Sequence, residues 1–268
     1  MRVLNILTSP IVYDGISMSV LNYFKNIDNQ KIKIDFVGPY IIDEIEKQIN
    51  DKGGKAYIIE GRKKKPLKYI KKLSLLIKEN KYDIVQAHGS SAILCLEMIA
   101  AKKAGCKIRI AHCRNTKCDH VILDKLLRPI FYKTYTHGFA CGELAGKWLF
   151  KDRKFDIINN GKDTEKFKYD EEIRKKMRHK YDLEDKIVIG HVGSFNEQKN
   201  HTFLIDILYN LIQRNPNYYL VLIGKGHLQL AIRQKATQLG IEKNILFAGE
   251  SSEVEKWIQA MDIMVFPS

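Results

Sequence analysis

Cysteine, tryptophan and proline are scarce in this chain, at five, two and six of 268 residues, and each shortage closes a class of architecture. The cysteines (Cys95, Cys106, Cys113, Cys118 and Cys141) are odd in number and irregularly spaced, with Cys95 and Cys141 inside apolar segments. A disulfide-stapled secreted scaffold is therefore excluded, and reduced thiols are expected. Cys113 and Cys118, with His112 and His120 nearby, match no zinc-ligand spacing. Proline-rich tracts, glycine-rich tracts and internal repeats are missing, which rules out fibrous and solenoid chains. No D-x-D pair occurs, so the adjacent carboxylates that would hold a divalent metal are lacking and metal independence is expected. No run approaches the roughly 18 to 20 apolar residues of a membrane span. The N-terminal MRVLNILTSP has too short an apolar run for a secretory leader and reads as a first strand, so a cytoplasmic protein is expected.

Acidic residues are also in short supply, with 31 Asp and Glu against 45 Lys and Arg, for a net charge of +14. The excess concentrates at Arg62, Lys63, Lys64, Lys65, Lys68, Lys71 and Lys72, and again over 147–154 and 174–180. Such runs favour an anionic neighbour. They carry none of the interleaved aromatics, helix-turn-helix signature or finger spacing of a nucleic-acid binder, so a phosphate-bearing small molecule or an anionic lipid surface is expected and nucleic acid is not.

What is present is an alternation of short β-rich runs with helical patterns, the mark of a parallel α/β fold. Strands are predicted over 3–8, 34–37, 56–59, 83–87, 108–112, 137–140 and 156–158, and helices over 17–27, 41–51, 66–80, 91–104, 124–134 and 144–150. In 66–80, Leu67, Ile70, Leu73 and Ile77 recur at helical spacing while the lysines fall elsewhere. That helix is either an ordinary solvated lysine face or one that touches an anionic membrane. Composition turns highly charged over 161–186, which reads as a linker. The rhythm then restarts, with strands over 187–192, 219–223, 245–248 and 263–266 and helices over 201–214, 228–239 and 253–261. Residues 1–160 thus make one doubly wound domain and 187–268 a second, incomplete one.

Candidate ligand positions follow the strands. Gly15 precedes a helix whose N-terminal N–H groups favour an anion, although an ordinary turn fits equally well. Strand 187–192 runs into Gly193-Ser194-Phe195-Asn196-Glu197-Gln198-Lys199-Asn200, where Lys199 at a helix entrance would add a formal charge for a diphosphate or would be a simple polar residue. Gly224, Gly226 and Gly249 end two further strands and form a rim for a flat base. His112 ends a strand before Cys113-Arg114-Asn115, as a site imidazole or a structural one.

Taken in order, several stretches resemble motifs of retaining glycosyltransferases of family 4, especially those of bacterial capsule and exopolysaccharide synthesis. They are Tyr82-Asp83-Ile84-Val85-Gln86-Ala87-His88, Arg109-Ile110-Ala111-His112, Ile158-Asn159-Asn160-Gly161-Lys162-Asp163, the Gly193 to Asn200 stretch, Leu222 to Gly226, Asn244 to Gly249, and Asp262 through Pro267-Ser268. The resemblance implies a GT-B architecture of two Rossmann-like domains, the acceptor side in the first and a UDP-linked or similar nucleotide sugar held mainly by the second. It implies transfer with retention and without a metal, to a saccharide acceptor carried on polyprenyl diphosphate, at the inner face of the cell membrane. Lys199 matches the lysine that binds the donor diphosphate, Gly15 the glycine lying against it, and His112 the histidine near the transferred sugar.

Three departures stand against the pattern. Ser194 occupies a position usually held by Arg, Lys162 replaces an aliphatic residue, and the family's following segment with two glutamates has no counterpart after Ser268. The last departure leaves a second expectation, a truncated and inactive remnant that binds nucleotide or a partner transferase.

Overall fold

The computed structural model describes residues 1–267. It divides into two compact units, Met1–Lys162 and Asp163–Ser268.

Unit 1 is a seven-stranded sheet in the order β3-β2-β1-β4-β5-β6-β7, all neighbours parallel. The strands are β1 (Arg2–Leu7), β2 (Lys33–Gly38), β3 (Ala56–Ile58), β4 (Ile84–Gly89), β5 (Ile108–Cys113), β6 (His137–Ala140) and β7 (Asp156–Ile157). Six helices connect them: α1 (Gly15–Asn26), α2 (Asp43–Asp51), α3 (Pro66–Glu79), α4 (Cys95–Lys103), α5 (Val121–Tyr132) and α6 (Glu143–Phe150). Period-two alternation divides β1 between two cores. Leu4 and Ile6 pack with α3 to α6, while Val3 and Leu7 pack under α1 and α2. Strand order reverses between β1 and β4, which is where open sheets of this kind accept ligands beyond the strand ends.

Two helix boundaries differ from expectation for one reason. The stretch expected as a helix over 91–104 opens as a 3-10 turn, Ala92–Leu94, before α4, and α5 begins at Val121 and not at Asp124. Asp124 is buried in the first turn of α5, where its carboxylate accepts the Ala92 N–H at 2.7 Å and pairs with Arg128 at 2.8 Å. An acidic residue that looks like a helix start is instead the tie between two elements.

Unit 2 is a four-stranded parallel sheet in the order β10-β9-β8-β11. It comprises α7 (Glu171–Lys180), β8 (Ile187–Val192), α8 (His201–Ile212), β9 (Tyr218–Ile223), α9 (Gln229–Gln238), β10 (Ile245–Gly249), α10 (Val254–Ala260) and β11 (Ile263–Met264). The charged stretch 161–186, expected as a linker, holds a 3-10 turn (Thr164–Phe167) and α7, and most of it lies inside the second unit. Asp170 caps α7 by accepting the Ile173 N–H. Lys175 pairs with Glu171 on the solvent side, whereas Arg174 and Arg178 turn inward to the carbonyls ending α10 and to the Asp262 carboxylate. High charge here reflects paired and inward-bonded side chains, not an unstructured connector. Among the described residues no helix is long and apolar enough to cross a membrane.

Candidate functional site

In unit 1 the parallel register sets Asn5 beside Gln86 and His88 beside His112, all on one face of the sheet. The hydrogen bonds assign the tautomers. Arg114 donates to His88 Nδ1 at 3.0 and 3.2 Å, and a guanidinium only donates, so the His88 proton sits on Nε2 and goes to Asn5 Oδ1 at 3.1 Å. Gln86 Nε2 donates to His112 Nδ1 at 2.9 Å, which leaves His112 Nε2–H buried with no hydrogen-bond partner among the described residues. Burial first, then the Arg114 charge, pushes His112 down to about 3; the same two causes, with His112 added, hold His88 well below the ordinary histidine value. Both rings are neutral. Arg114 also donates to Asn160 Oδ1 at 2.8 Å, an oxygen shared with Ser19 of α1 at 2.9 Å.

These groups border a cavity of about 240 Å³ whose other walls are apolar, including Val3, Ile34, Ile84, Ile110 and Phe139. A second cavity, of about 610 Å³, opens at the strand ends around the reversal point. Thr8, Ser9 and Pro10 follow β1, Ser90 and Ser91 follow β4, and Asn115 and the stretch 117–120 follow β5 along its wall. Arg62, Lys63, Lys64 and Lys117 make it basic against the single carboxylate of Asp119. Arg62 is held by Glu97 at 2.7 Å, whereas Lys63, Lys64 and Lys117 have no carboxylate partner among the described residues. His112, singled out in the sequence, lines the smaller cavity and not this one. Gly15, the first residue of α1, has open space where a side chain would stand, with the helix capped by Asp14 through the Ser17 N–H at 2.7 Å.

In unit 2 the strand order reverses between β8 and β11, so the loop after β8 lies at the equivalent point. Its backbone interlocks with the next two glycine turns: Gly193 N–H donates to Ile223 O, Phe195 N–H to Lys225 O, and Gly224 N–H to Gly249 O at 2.9, 3.0 and 2.7 Å. Gly224 takes φ +139, and a Cβ there would stand 2.1 Å from Gly193 O; one on Gly226 would stand 2.4 Å from Phe195 O. These two glycines serve loop-on-loop packing inside the protein, and only Gly249, at φ +75 with nothing within 4 Å, faces open space.

Lys199 ends a 3-10 turn (Glu197–Lys199) capped by Asn196, and Asn200 in the left-handed region leads into α8. The Lys199 stem crosses Gly193, with its Cγ and Cδ 3.2 Å from where a Cβ would be. The residue is half-buried and its ammonium has no carboxylate partner among the described residues; Glu197 and Glu250 bond elsewhere, to His227 and Lys225. Beneath the loop lie two histidines that sequence reasoning passed over. His191 donates Nδ1–H to Val265 O at 2.8 Å and turns its unpartnered Nε2 toward Gly193. His201 stacks on Phe195 with ring centroids 4.0 Å apart and has neither nitrogen bonded among the described residues. Burial, then His191 and Lys199, pushes His201 down to about 4. The signal for both was their place at a strand end and a helix start flanking the Gly193 loop.

The architecture is the parallel α/β GT-B fold. Among solved structures, Anabaena HepE in complex with UDP-glucose matches with a TM-score of 0.83 at 17% identity, over all of this chain and 74% of that one. WaaG, described as a glycosyltransferase of lipopolysaccharide biosynthesis, matches at 0.74 and 13% identity, over 99% and 75%. S. aureus MnaA with UDP also matches, at 0.67 and 15% identity over 100% and 74%. At these identities the likeness establishes the fold alone.

Residues 173–268 match the family model "Glycosyl transferases group 1". In sequence the chain is 29% identical over its whole length to a protein named glycosyltransferase EpsF, from Bacillus subtilis, and spans 73% of it. It is 30% identical over 76% of its length to the Escherichia coli UDP-Gal:alpha-D-GlcNAc-diphosphoundecaprenol alpha-1,3-galactosyltransferase, of which it spans 56%.

Proposed function

We propose that this protein transfers a hexose or N-acetylhexosamine from a UDP-linked sugar to a saccharide carried on polyprenyl diphosphate, with retention and without a metal. The pathway would be exopolysaccharide or capsule synthesis at the inner face of the cell membrane. The observation that carries it is Lys199, a half-buried lysine without a carboxylate partner among the described residues, set over a glycine turn at the reversal point of the sheet. The group 1 domain and the names of the sequence relatives support the same class.

In this reading the bond between the sugar's anomeric carbon and the diphosphate oxygen breaks, and negative charge grows on the leaving phosphate. Lys199 and the N-terminus of α8 stabilise that charge where it develops. The acceptor hydroxyl oxygen bonds to the anomeric carbon on the face the diphosphate leaves, and its proton passes to the leaving phosphate, so no dedicated base is required. His112 is neutral and serves as an orienting N–H donor to the sugar, not as a proton shuttle. The basic strand-end cavity of unit 1 receives the acceptor, with Lys63, Lys64 and Lys117 toward its phosphates. The relatives' names are those of transferases and do not favour the remnant reading.

Calorimetry of the full chain with UDP tests it. Binding weakened about ten- to a hundredfold by Lys199→Ala, the scale of one charged hydrogen bond, is expected. Equal affinity in the variant overturns the assignment, and activity that is lost in EDTA and restored by a divalent ion overturns metal independence.

A further inference from the structure

His191 lies in β8, fully buried beneath the Gly193 loop, and His201 begins α8 beside it, 2% exposed. The two rings meet edge to face with centroids 4.9 Å apart. His191 donates its Nδ1 proton to Val265 O at 2.8 Å, so in the neutral ring Nε2 carries a lone pair and no proton. That nitrogen has no hydrogen-bond partner among the described residues. It converges with the Lys199 stem on one point: where a Cβ on Gly193 would stand, Nε2 is 2.8 Å away and Lys199 Cγ and Cδ are each 3.2 Å away. A basic nitrogen is thus buried directly under the turn that the lysine crosses.

The charges around His191 are few. Lys199 stands on the loop above it and His201 on α8; Glu197 is paired with His227 and Lys225 with Glu250, both at the surface, and the residues after β11 that touch the ring, Val265 and Phe266, are uncharged. Burial holds His191 below the ordinary histidine value against the Val265 bond, and the Lys199 charge adds to burial. An anion bound at Lys199 offsets that charge and favours the protonated ring. Proton affinity is then higher in the bound state than in the free one, and by linkage a site of this kind takes up a proton as it fills.

We propose that His191 is a positioning residue of the donor site that takes up a solvent proton as the diphosphate of the nucleotide sugar settles on Lys199, so that donor and proton bind together. The Nε2 lone pair forms the new N–H bond, and the imidazolium sets a second, buried positive charge beneath the leaving phosphate. The proposal rests on the reading of Lys199 as the lysine that holds the diphosphate.

The test is calorimetry of the full chain with UDP-glucose, UDP-galactose and UDP-N-acetylglucosamine, whose diphosphate stays fully ionised over the range used, in two buffers of different ionisation enthalpy. Uptake of roughly 0.3 to 1 proton near about pH 6, with affinity rising about three- to tenfold from about pH 7.5 to about pH 5.5, is expected. His191→Asn keeps an N–H for Val265 O but removes Nε2, and should abolish the uptake; His227→Gln, at the surface, should keep it. Binding without proton uptake in the parent chain overturns the proposal and leaves the donor reading standing, whatever the fold of the variants. Uptake that H191N leaves unchanged, or that H227Q abolishes, gives the proton to another group and also overturns it. No affinity for any of the three sugars overturns the donor reading and this proposal together.

Discussion

Both units carry a pair of buried neutral histidines, at strand ends in unit 1 and at a strand end and a helix start in unit 2, but they satisfy them to different degrees. In unit 1 the pair is tied down: Arg114 donates to His88, His88 to Asn5, and Gln86 to His112. In unit 2, among the described residues, His191 makes one hydrogen bond, to Val265 O, and His201 none. The cations differ likewise. Arg114 is spent on internal acceptors, whereas the Lys199 ammonium has no carboxylate partner among the described residues. Among the described residues the first cluster leaves one buried ring nitrogen unbonded, His112 Nε2, and the second leaves three, His191 Nε2 and both nitrogens of His201, at a cost to the folded protein.

The sharpest way to break this comparison is to remove both cations. Arg114→Ala leaves His88 Nδ1 without its donor and Asn160 with Ser19 alone, and should lower the unfolding free energy by about 2 to 3 kcal/mol in urea titration. Lys199→Ala should change stability by no more than about 1 kcal/mol, because it loses the packing of the stem over Gly193 but no ion pair among the described residues. Equal losses for the two variants would dissolve the distinction.

Acid tests the histidines. Their folded values lie below the ordinary value near 6.5, at about 3 for His112 and about 4 for His201. The unfolded chain therefore takes up protons that the folded one refuses. Their contribution is complete above the unfolded value and is lost as pH falls through the window between the two, by roughly 1 kcal/mol per pH unit for each histidine. Urea unfolding followed from neutral pH downward should show that slope, and a flat profile would mean the rings are charged in the folded state.

A further test concerns Gly15. A methyl there meets nothing within 4 Å, so Gly15→Ala should leave stability within about 1 kcal/mol of the parent. Weaker UDP binding in that variant would show that the open space is used by a ligand, and unchanged binding that it is an ordinary helix start.

Strand positions in the core were legible from β-rich runs and turn residues, with differences of one or two residues at most ends. The Lys199 loop was legible because strand, glycine, polar turn and helix are consecutive. The network around His112 was not, since its members lie far apart along the chain: Asn5 and His88 are 83 residues apart, and Arg114 and Asn160 46. The charged segment 161–186 misled because composition cannot distinguish lysines paired on the surface from arginines turned inward to Asp262. The exposed side of α5 escaped for a similar reason, as Ile122, Leu126 and Ile130 look like core residues until their exposure is known.

By itself the sequence determined the parallel α/β class, the division into two parts and the glycine-lysine loop after β8, because each depends on residues close together in the chain, where backbone propensity and periodicity act. The tertiary structure alone decided which histidines are bonded, which glycines serve packing, which cation is left free and which helix face meets solvent. Those depend on sheet order and register, which bring residues from distant stretches to hydrogen-bonding distance, and no local pattern encodes that juxtaposition.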